Sequence, residues 1–193
     1  MPLMRQPDLY YDPTKNFVYS LGGTAYQTNG GAWDSPPVEL WGFQPNDGHV
    51  NWELQESGPS QNFPLTNVVE FALTATSPNG HYSLGGLTGL PPNDMIPLDE
   101  VVNFNFANQS WHNQTLSGQF DSGQAQYVPT FGRDGVVLFF GGDGTLSGLD
   151  TILVYDIHSS TFFQQPATNA PIGRSIFCSV GVGTNLTNSS YEM

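Results

Sequence analysis

Three apolar runs of this sequence each end in a pair of glycines. The pairs are Gly22-Gly23, Gly85-Gly86 and Gly141-Gly142; 63 residues separate Gly22 from Gly85, and 56 separate Gly85 from Gly141. After each pair come a loop, another apolar run, and an aromatic residue that opens the run after that. A spacing of this order indicates a repeat architecture, so the chain is best interpreted as successive copies of one structural module.

The modules are predicted to consist of β-strands. The 193 residues include 22 glycines and 15 prolines, and no long segment carries a helical stripe of apolar residues free of these helix breakers. Short apolar runs bounded by turn residues are instead typical of strands. We therefore expect an all-β chain with enough residues for a substantial core.

The second and third modules carry the clearest hairpin signals. Pro78-Asn79-Gly80 and Asp134-Gly135 each join one apolar run to the run that ends in the glycine pair. Asn-Gly and Asp-Gly favour tight hairpins because both central residues of a type I′ turn need positive φ. Seven residues separate the aromatic residue of the third strand from the one that opens the fourth, namely Phe104 from Trp111 and Tyr155 from Phe162. Each module is thus predicted to be a four-stranded antiparallel meander.

The module boundaries follow from this pattern. Modules one, two and three are predicted at residues 5–56, 66–115 and 123–165, and the start of a fourth at 172–193. In the fourth, Arg174–Gly183 is expected to form the innermost strand and Tyr191–Met193 to begin the second. Large aromatic residues are expected to fill the space between neighbouring modules, since each buries a large apolar area. They are Trp41, Trp52, Phe104, Trp111, Tyr155 and Phe162.

This pattern resembles the Kelch repeat. The shared features are a glycine pair after the second strand, an aromatic residue in the third and Trp or Phe at the start of the fourth. Tyr127–Gly132 and Phe177–Val180 are similar to segments of the long-repeat Kelch proteins of filamentous fungi, whereas Leu40–Phe43 and Asn103–Phe106 lack the usual Tyr-Asp pair. The resemblance, to the galactose oxidase/Kelch superfamily, implies a partial β-propeller whose remaining blades belong to the full-length chain.

The charge balance excludes several classes of function. The net charge is −13, with Arg5, Lys15, Arg133 and Arg174 as the cations. Nucleic-acid binding needs clustered Lys or Arg and is therefore excluded, and docking on an anionic membrane surface is disfavoured. No apolar stretch of 18 residues occurs, so no membrane-spanning helix is predicted.

No catalytic or cofactor motif stands out. His49, His81, His112 and His158 lack metal-ligand spacing, and Cys178 lies in an apolar run that predicts a buried, inert thiol. We therefore expect no catalytic residue, no metal site and no cofactor. Two alternatives stay open: a propeller segment of a galactose-oxidase-like copper radical oxidase, and a cytoplasmic Kelch adaptor in cell polarity or ubiquitination.

Four N-glycosylation sequons favour the secretory pathway. Their acceptors are Asn108, Asn113, Asn185 and Asn188, all in predicted turns or exposed strand starts. Among the fungal Kelch proteins that the chain resembles, a signal peptide and a later membrane or cell-wall anchor are common. A secreted, cell-surface or membrane-anchored full-length protein is therefore expected.

The long connections after the second strands are the expected binding surface. Tyr26 and Trp33 are aromatic residues in a connection otherwise composed largely of small and polar residues. Surplus aromatics in loops can anchor a ligand, although they can equally cover the end of their own module. The sequence thus favours a non-catalytic Kelch-type scaffold that binds an unidentified protein or glycan.

Overall fold

The computed structural model describes residues 4–5, 8–21, 24–26, 33–34, 39–45, 50–55, 69–88, 96–129, 134–179, 182–183 and 191–192. These residues form strands, turns and connections but no helix, so the all-β prediction is confirmed. In this part of the chain no helix is long and apolar enough to cross a membrane.

The described strands are short. The first eleven are β1 (Met4–Arg5), β2 (Asp8–Asp12), β3 (Phe17–Leu21), β4 (Thr24–Tyr26), β5 (Trp33–Asp34), β6 (Leu40–Phe43), β7 (Glu53–Leu54), β8 (Val69–Glu70), β9 (Leu73–Ser77), β10 (Gly80–Leu84) and β11 (Leu87–Thr88). The next eleven are β12 (Ile96–Pro97), β13 (Glu100–Asn105), β14 (Trp111–Thr115), β15 (Phe120–Asp121), β16 (Gln124–Val128), β17 (Val136–Phe140), β18 (Asp143–Gly144), β19 (Thr151–Asp156), β20 (Thr161–Pro166), β21 (Val182–Gly183) and β22 (Tyr191–Glu192).

Three four-stranded antiparallel sheets dominate the structure. Their strand orders are β2-β3-β6-β7 (sheet one), β9-β10-β13-β14 (sheet two) and β16-β17-β19-β20 (sheet three). Each sheet pairs its strands in chain order, as the sequence predicts for modules one to three. In sheet two Ser77 pairs with Gly80 across the first hairpin, so Pro78 and Asn79 form its tip and Gly80 belongs to β10. Neither Asn79 nor Gly80 has a positive φ, so the hairpin lies where it was predicted but its turn is not of type I′.

A polar residue at the end of a strand holds several of the tight turns. The side chains of Asp12, Ser77 and Asn105 each accept hydrogen bonds from the backbone N–H groups two and three residues further on. The side chain of Asp156 accepts one from the residue three positions on. Such local bonds give the backbone an alternative to the strand ladder, which explains why the strands stop there.

The sheets pack face to face through two hydrophobic cores. Sheets one and two enclose Tyr10, Tyr19, Leu21, Leu40, Phe104 and Phe106. Sheets two and three enclose Leu73, Ala75, Tyr82, Leu84, Val101, Phe120, Val137, Phe139, Leu146, Leu153 and Tyr155. The first strands of the three sheets are neighbours, β2 beside β9 and β9 beside β16.

The aromatic pairs recur with nearly the same geometry. The rings of Phe104 and Trp111 are 4.4 Å apart at 37°, and those of Tyr155 and Phe162 are 4.6 Å apart at 38°. Phe104 and Tyr155 are buried between sheets, as predicted. Their partners are only half-buried, and so are Trp41 and Trp52 of module one. The interior member of each pair therefore fills the space between sheets, while the other lies at its margin.

The glycine pairs occupy backbone that a side chain would obstruct. Gly85 and Gly86 have φ of 63° and 93°, and Gly141 and Gly142 have φ of 68° and 88°. A Cβ on Gly86 would lie 2.7 Å from the carbonyl oxygen of Glu70, closer than real contacts allow. These positions thus need glycine for both φ and space. Gly22-Gly23 lies outside the described residues.

Each described glycine pair also contacts the start of the next module. The N–H of Gly86 donates to the carbonyl of Phe120, and the N–H of Gly142 donates to that of Arg174 at 2.7 Å. Two residues further on, the N–H of Ser122 donates to the carbonyl of Phe71 at 2.9 Å, and that of Ile176 donates to the carbonyl of Ser122 at 2.7 Å. Consecutive modules are therefore joined by recurring backbone hydrogen bonds.

The fourth module begins differently from the prediction. Residues 174–179 do not form a strand, and Cys178 is exposed rather than buried. Within the described residues this segment is covered only on the side that faces sheet three, and an apolar run needs neighbours on both sides to become buried. Further along, β21 pairs antiparallel with β22, which agrees with the predicted pairing of a first and second strand. The turn predicted between them lies outside the described residues.

Candidate binding sites

Small additional sheets lie at the end of the molecule where the second strands lead into the third. Their orders are β1-β4-β5, β12-β11-β8 and β15-β18, so each combines the start of a module with its connection after the glycine pair. Tyr26 and Trp33 are backbone partners across β4 and β5. The two predicted ligand-contact residues are thereby brought opposite each other in one antiparallel pair.

Two of the four sequons lie among the described residues. Asn108 is exposed in a turn, and its side-chain oxygen accepts hydrogen bonds from the backbone N–H of Ser110 at 3.1 Å and from the Ser110 hydroxyl at 2.7 Å. Asn113 is exposed on β14, but its amide nitrogen donates to the carboxylate of Glu100 at 2.9 Å. The two acceptors therefore differ in how available their nitrogens are. Asn185 and Asn188 lie outside the described residues.

The three histidines among the described residues do not come together. His81 is buried between sheets one and two, where its ring stacks on Tyr10 with centroids 4.2 Å apart and an angle of 11°. His112 and His158 are exposed, and the Nδ1 atom of His158 lies 3.5 Å from a carboxylate oxygen of Asp134. His49 lies outside the described part of the chain. No group of three His, Cys, Asp or Glu suited to a metal ion occurs among the residues that are described.

A polar cleft of about 420 Å³ lies at the opposite end of the molecule, where the first-to-second and third-to-fourth turns gather. Turns from all three modules contribute to its wall, and most of its lining comes from sheets two and three. The side chains that matter for its chemistry are Tyr82, Asn103, Asn105, Asp134 and Tyr155. This cleft was not predicted from the sequence.

Burial raises the pKa of three tyrosines, of which Tyr82 lines the cleft. Desolvation raises the pKa of Tyr82 to about 12, while hydrogen bonding with Ser77 and Asn103 acts in the opposite direction. Burial likewise raises the pKa of Tyr10 well above its usual value near 10, and that of Tyr19 above it. The Tyr82 phenol is therefore a neutral hydrogen-bonding group at physiological pH.

One segment that the sequence had marked as unusual lies at the cleft. Asn103 and Asn105 flank Phe104 in the segment that departs from the Kelch Tyr-Asp pattern. Because alternate residues of a strand point to opposite faces, Phe104 enters the core between sheets one and two while both asparagines line the cleft on the other side. The segment that lacks the Tyr-Asp pair therefore contributes two amide side chains to the cleft.

No protein-family model matches this chain, and no curated protein matches it. The Kelch resemblance therefore depends on the residues quoted above. The arrangement of the three sheets is a separate, structural observation.

Proposed function

We propose that this chain is an arc of a Kelch-type β-propeller and serves as a non-catalytic binding scaffold. The observation that carries the proposal is the recurrence of the backbone contacts between modules. Gly86 with Phe120 and Gly142 with Arg174 are the same contact one module apart. A repeated contact of this kind supports a constant step from sheet to sheet, with the neighbouring first strands β2, β9 and β16 on the inside.

Exposed apolar residues on the outer sides of sheets one and three support the proposal that further blades in the full-length chain pack against them. Leu9 and Tyr11, on the face of β2 that turns away from sheet two, are 59% and 45% exposed. At the other outer sheet, sheet three, Phe163 on β20 is 49% exposed, and Ile172 in the segment after β20 is 88% exposed. A repeat module buries its apolar faces only between two neighbours, so additional sheets of the same kind would cover both.

The proposed ligand surface is the end that carries the small sheets. Tyr26 and Trp33 are backbone partners there across β4 and β5, and two neighbouring aromatic residues on a scaffold of strands are a suitable anchor for a protein or glycan. The exposed sequon at Asn108 supports a secreted or surface-attached protein, of the kind that the fungal resemblance implies.

The experiment is a binding screen of the secreted full-length protein against immobilised cell-wall polysaccharides and extracellular proteins. We expect a specific interaction that the double variant Tyr26→Ala/Trp33→Ala weakens without changing the far-UV circular dichroism spectrum. The matched control, His112→Ala/His158→Ala, removes two exposed rings elsewhere and should bind normally. Equal binding by both double variants would refute the surface, and copper-dependent peroxide production would refute the non-catalytic role.

A further inference from the structure

We propose that the polar cleft between sheets two and three binds a neutral saccharide. This site is separate from the proposed ligand surface, because the cleft lies where the tight turns gather and Tyr26 and Trp33 lie at the other end. Its volume of about 420 Å³ falls within the range of about 300–1,000 Å³ typical of small-molecule sites. A mono- or disaccharide matches that volume.

The two asparagines of the cleft are oriented by their own hydrogen bonds. Asn103 donates its amide nitrogen to the carbonyl of His81 at 3.4 Å and also hydrogen-bonds with Tyr82, which orients its side chain. Asn105 accepts with its oxygen from the N–H of Ala107 at 2.9 Å, which leaves its nitrogen as a donor. The cleft therefore presents two oriented amides two residues apart on one strand, and the nitrogen of Asn105 is available as a donor.

The remaining polar groups suit the same kind of ligand. Asp134 provides a half-exposed carboxylate that only accepts hydrogen bonds, and Tyr82 and Tyr155 also line the cleft. A sugar hydroxyl both donates and accepts, so neighbouring hydroxyls can satisfy a mixed set of amide, carboxylate and phenol groups. Ala107 and Ile157 add small apolar surfaces for the C–H faces of a sugar ring.

Charged ligands fit the cleft less well. Among the described residues neither Lys nor Arg lines it, and a chain of net charge −13 repels anions. Tyr82 and Tyr155 offer a cation no open aromatic face, because they are only 4% and 5% exposed and pack against each other with ring centroids 5.6 Å apart. The Asp134 carboxylate, the one acidic group among the described lining residues, already lies 3.5 Å from the Nδ1 atom of His158. The combination favours an uncharged, hydroxyl-rich molecule.

The test is saturation-transfer NMR of the full chain with glucose, galactose, mannose, N-acetylglucosamine and cellobiose. Ala107→Trp places a large side chain at an exposed turn position on the cleft wall, and Ser117→Trp places the same side chain at an exposed position outside it. We expect at least one sugar to bind the wild type, binding to fall about tenfold or more in Ala107→Trp, and the Ser117→Trp control to bind as the wild type does. Unchanged circular dichroism spectra establish that both variants are folded.

Three results would overturn the proposal: no transfer to any of the five sugars from the wild type, equal binding by Ala107→Trp, or stronger binding of glucuronate or choline than of the neutral sugars. Asp134→Ala should weaken sugar binding several-fold, since it removes one acceptor. Tyr26→Ala/Trp33→Ala should leave sugar binding in the cleft unchanged, so that failure of the proposed ligand surface and failure of this site are distinguishable.

Discussion

Replacing Gly86 with alanine should weaken the junction between modules two and three. Gly86 has φ of 93°, and an added Cβ would lie 2.7 Å from both the Glu70 carbonyl oxygen and the Val69 Cγ1 atom. Its own N–H donates to Phe120, and its carbonyl accepts from the N–H of Leu98 at 2.9 Å. The backbone is therefore held on both sides and cannot move to make room.

The expected loss of stability is the sum of two effects. A left-handed conformation costs a non-glycine residue about 1–2 kcal/mol, and overpacking against backbone atoms typically costs about 1–3 kcal/mol. Gly86→Ala should thus lower the free energy of unfolding by about 2–5 kcal/mol. With a urea m-value of about 2 kcal/mol/M, the unfolding midpoint should fall by about 1–2.5 M.

Equilibrium unfolding in urea, followed by tryptophan fluorescence, measures this shift. Gly148→Ala is the matched control, because Gly148 has no left-handed φ and the three atoms nearest to an added Cβ all belong to the side chain of the exposed Asp150, which can rotate away. That variant should stay within about 0.5 kcal/mol of the wild type. If Gly86→Ala and Gly148→Ala unfold at the same urea concentration, the structural role assigned to the glycine pair is wrong.

Lys15→Met should lower the free energy of unfolding by about 1–2 kcal/mol in the same urea assay, because the Lys15 ammonium donates to the Phe106 carbonyl at 2.9 Å and so links sheet one to sheet two. An unchanged unfolding midpoint would contradict this. Burial raises the pKa of Tyr82 to about 12, so its contribution to stability is complete below about pH 10 and is lost as the pH rises towards 12. Urea titrations between pH 9 and 12 should show the free energy of unfolding falling with pH in the wild type and falling less in Tyr82→Phe. Identical pH profiles for the two proteins would refute the raised pKa of Tyr82. Peptide mass spectrometry of protein secreted from eukaryotic cells should find more glycan on Asn108 than on Asn113, whose nitrogen is bound to a carboxylate; the reverse order would count against the hydrogen-bond argument.

Local chemistry made the strands and tight turns of modules two and three predictable. The hairpin tip at Pro78-Asn79 and the short turns before Trp111 and Thr161 occur where turn residues stand in the sequence. Residues 130–133 of the connection before Asp134-Gly135 lie outside the described residues. Glycine pairs were predictable for the same reason, since positive φ and close backbone contact both select glycine. These features depend on a few adjacent residues and are therefore visible in the sequence.

Features that depend on a neighbouring sheet were not predictable in the same way. Phe71, Ser122 and Ile176 share a φ between 51° and 60° although their side chains have nothing in common. The hydrogen bonds between modules favour this conformation, and such bonds leave no trace in residue type. Cys178 was wrongly predicted to be buried, because its apolar surroundings in the sequence say nothing about whether a sheet covers them.

The repeat of strands and turns follows from short-range preferences, and any chain with this pattern of apolar runs, glycines and turn residues will favour antiparallel meanders. The cleft depends on packing. Asn103 of β13 and Tyr155 of β19 belong to different modules, and they line one cavity only because sheets two and three stack at one particular separation and register. That separation is set by the side chains of the whole interface between the sheets, a property that no single segment of the chain contains.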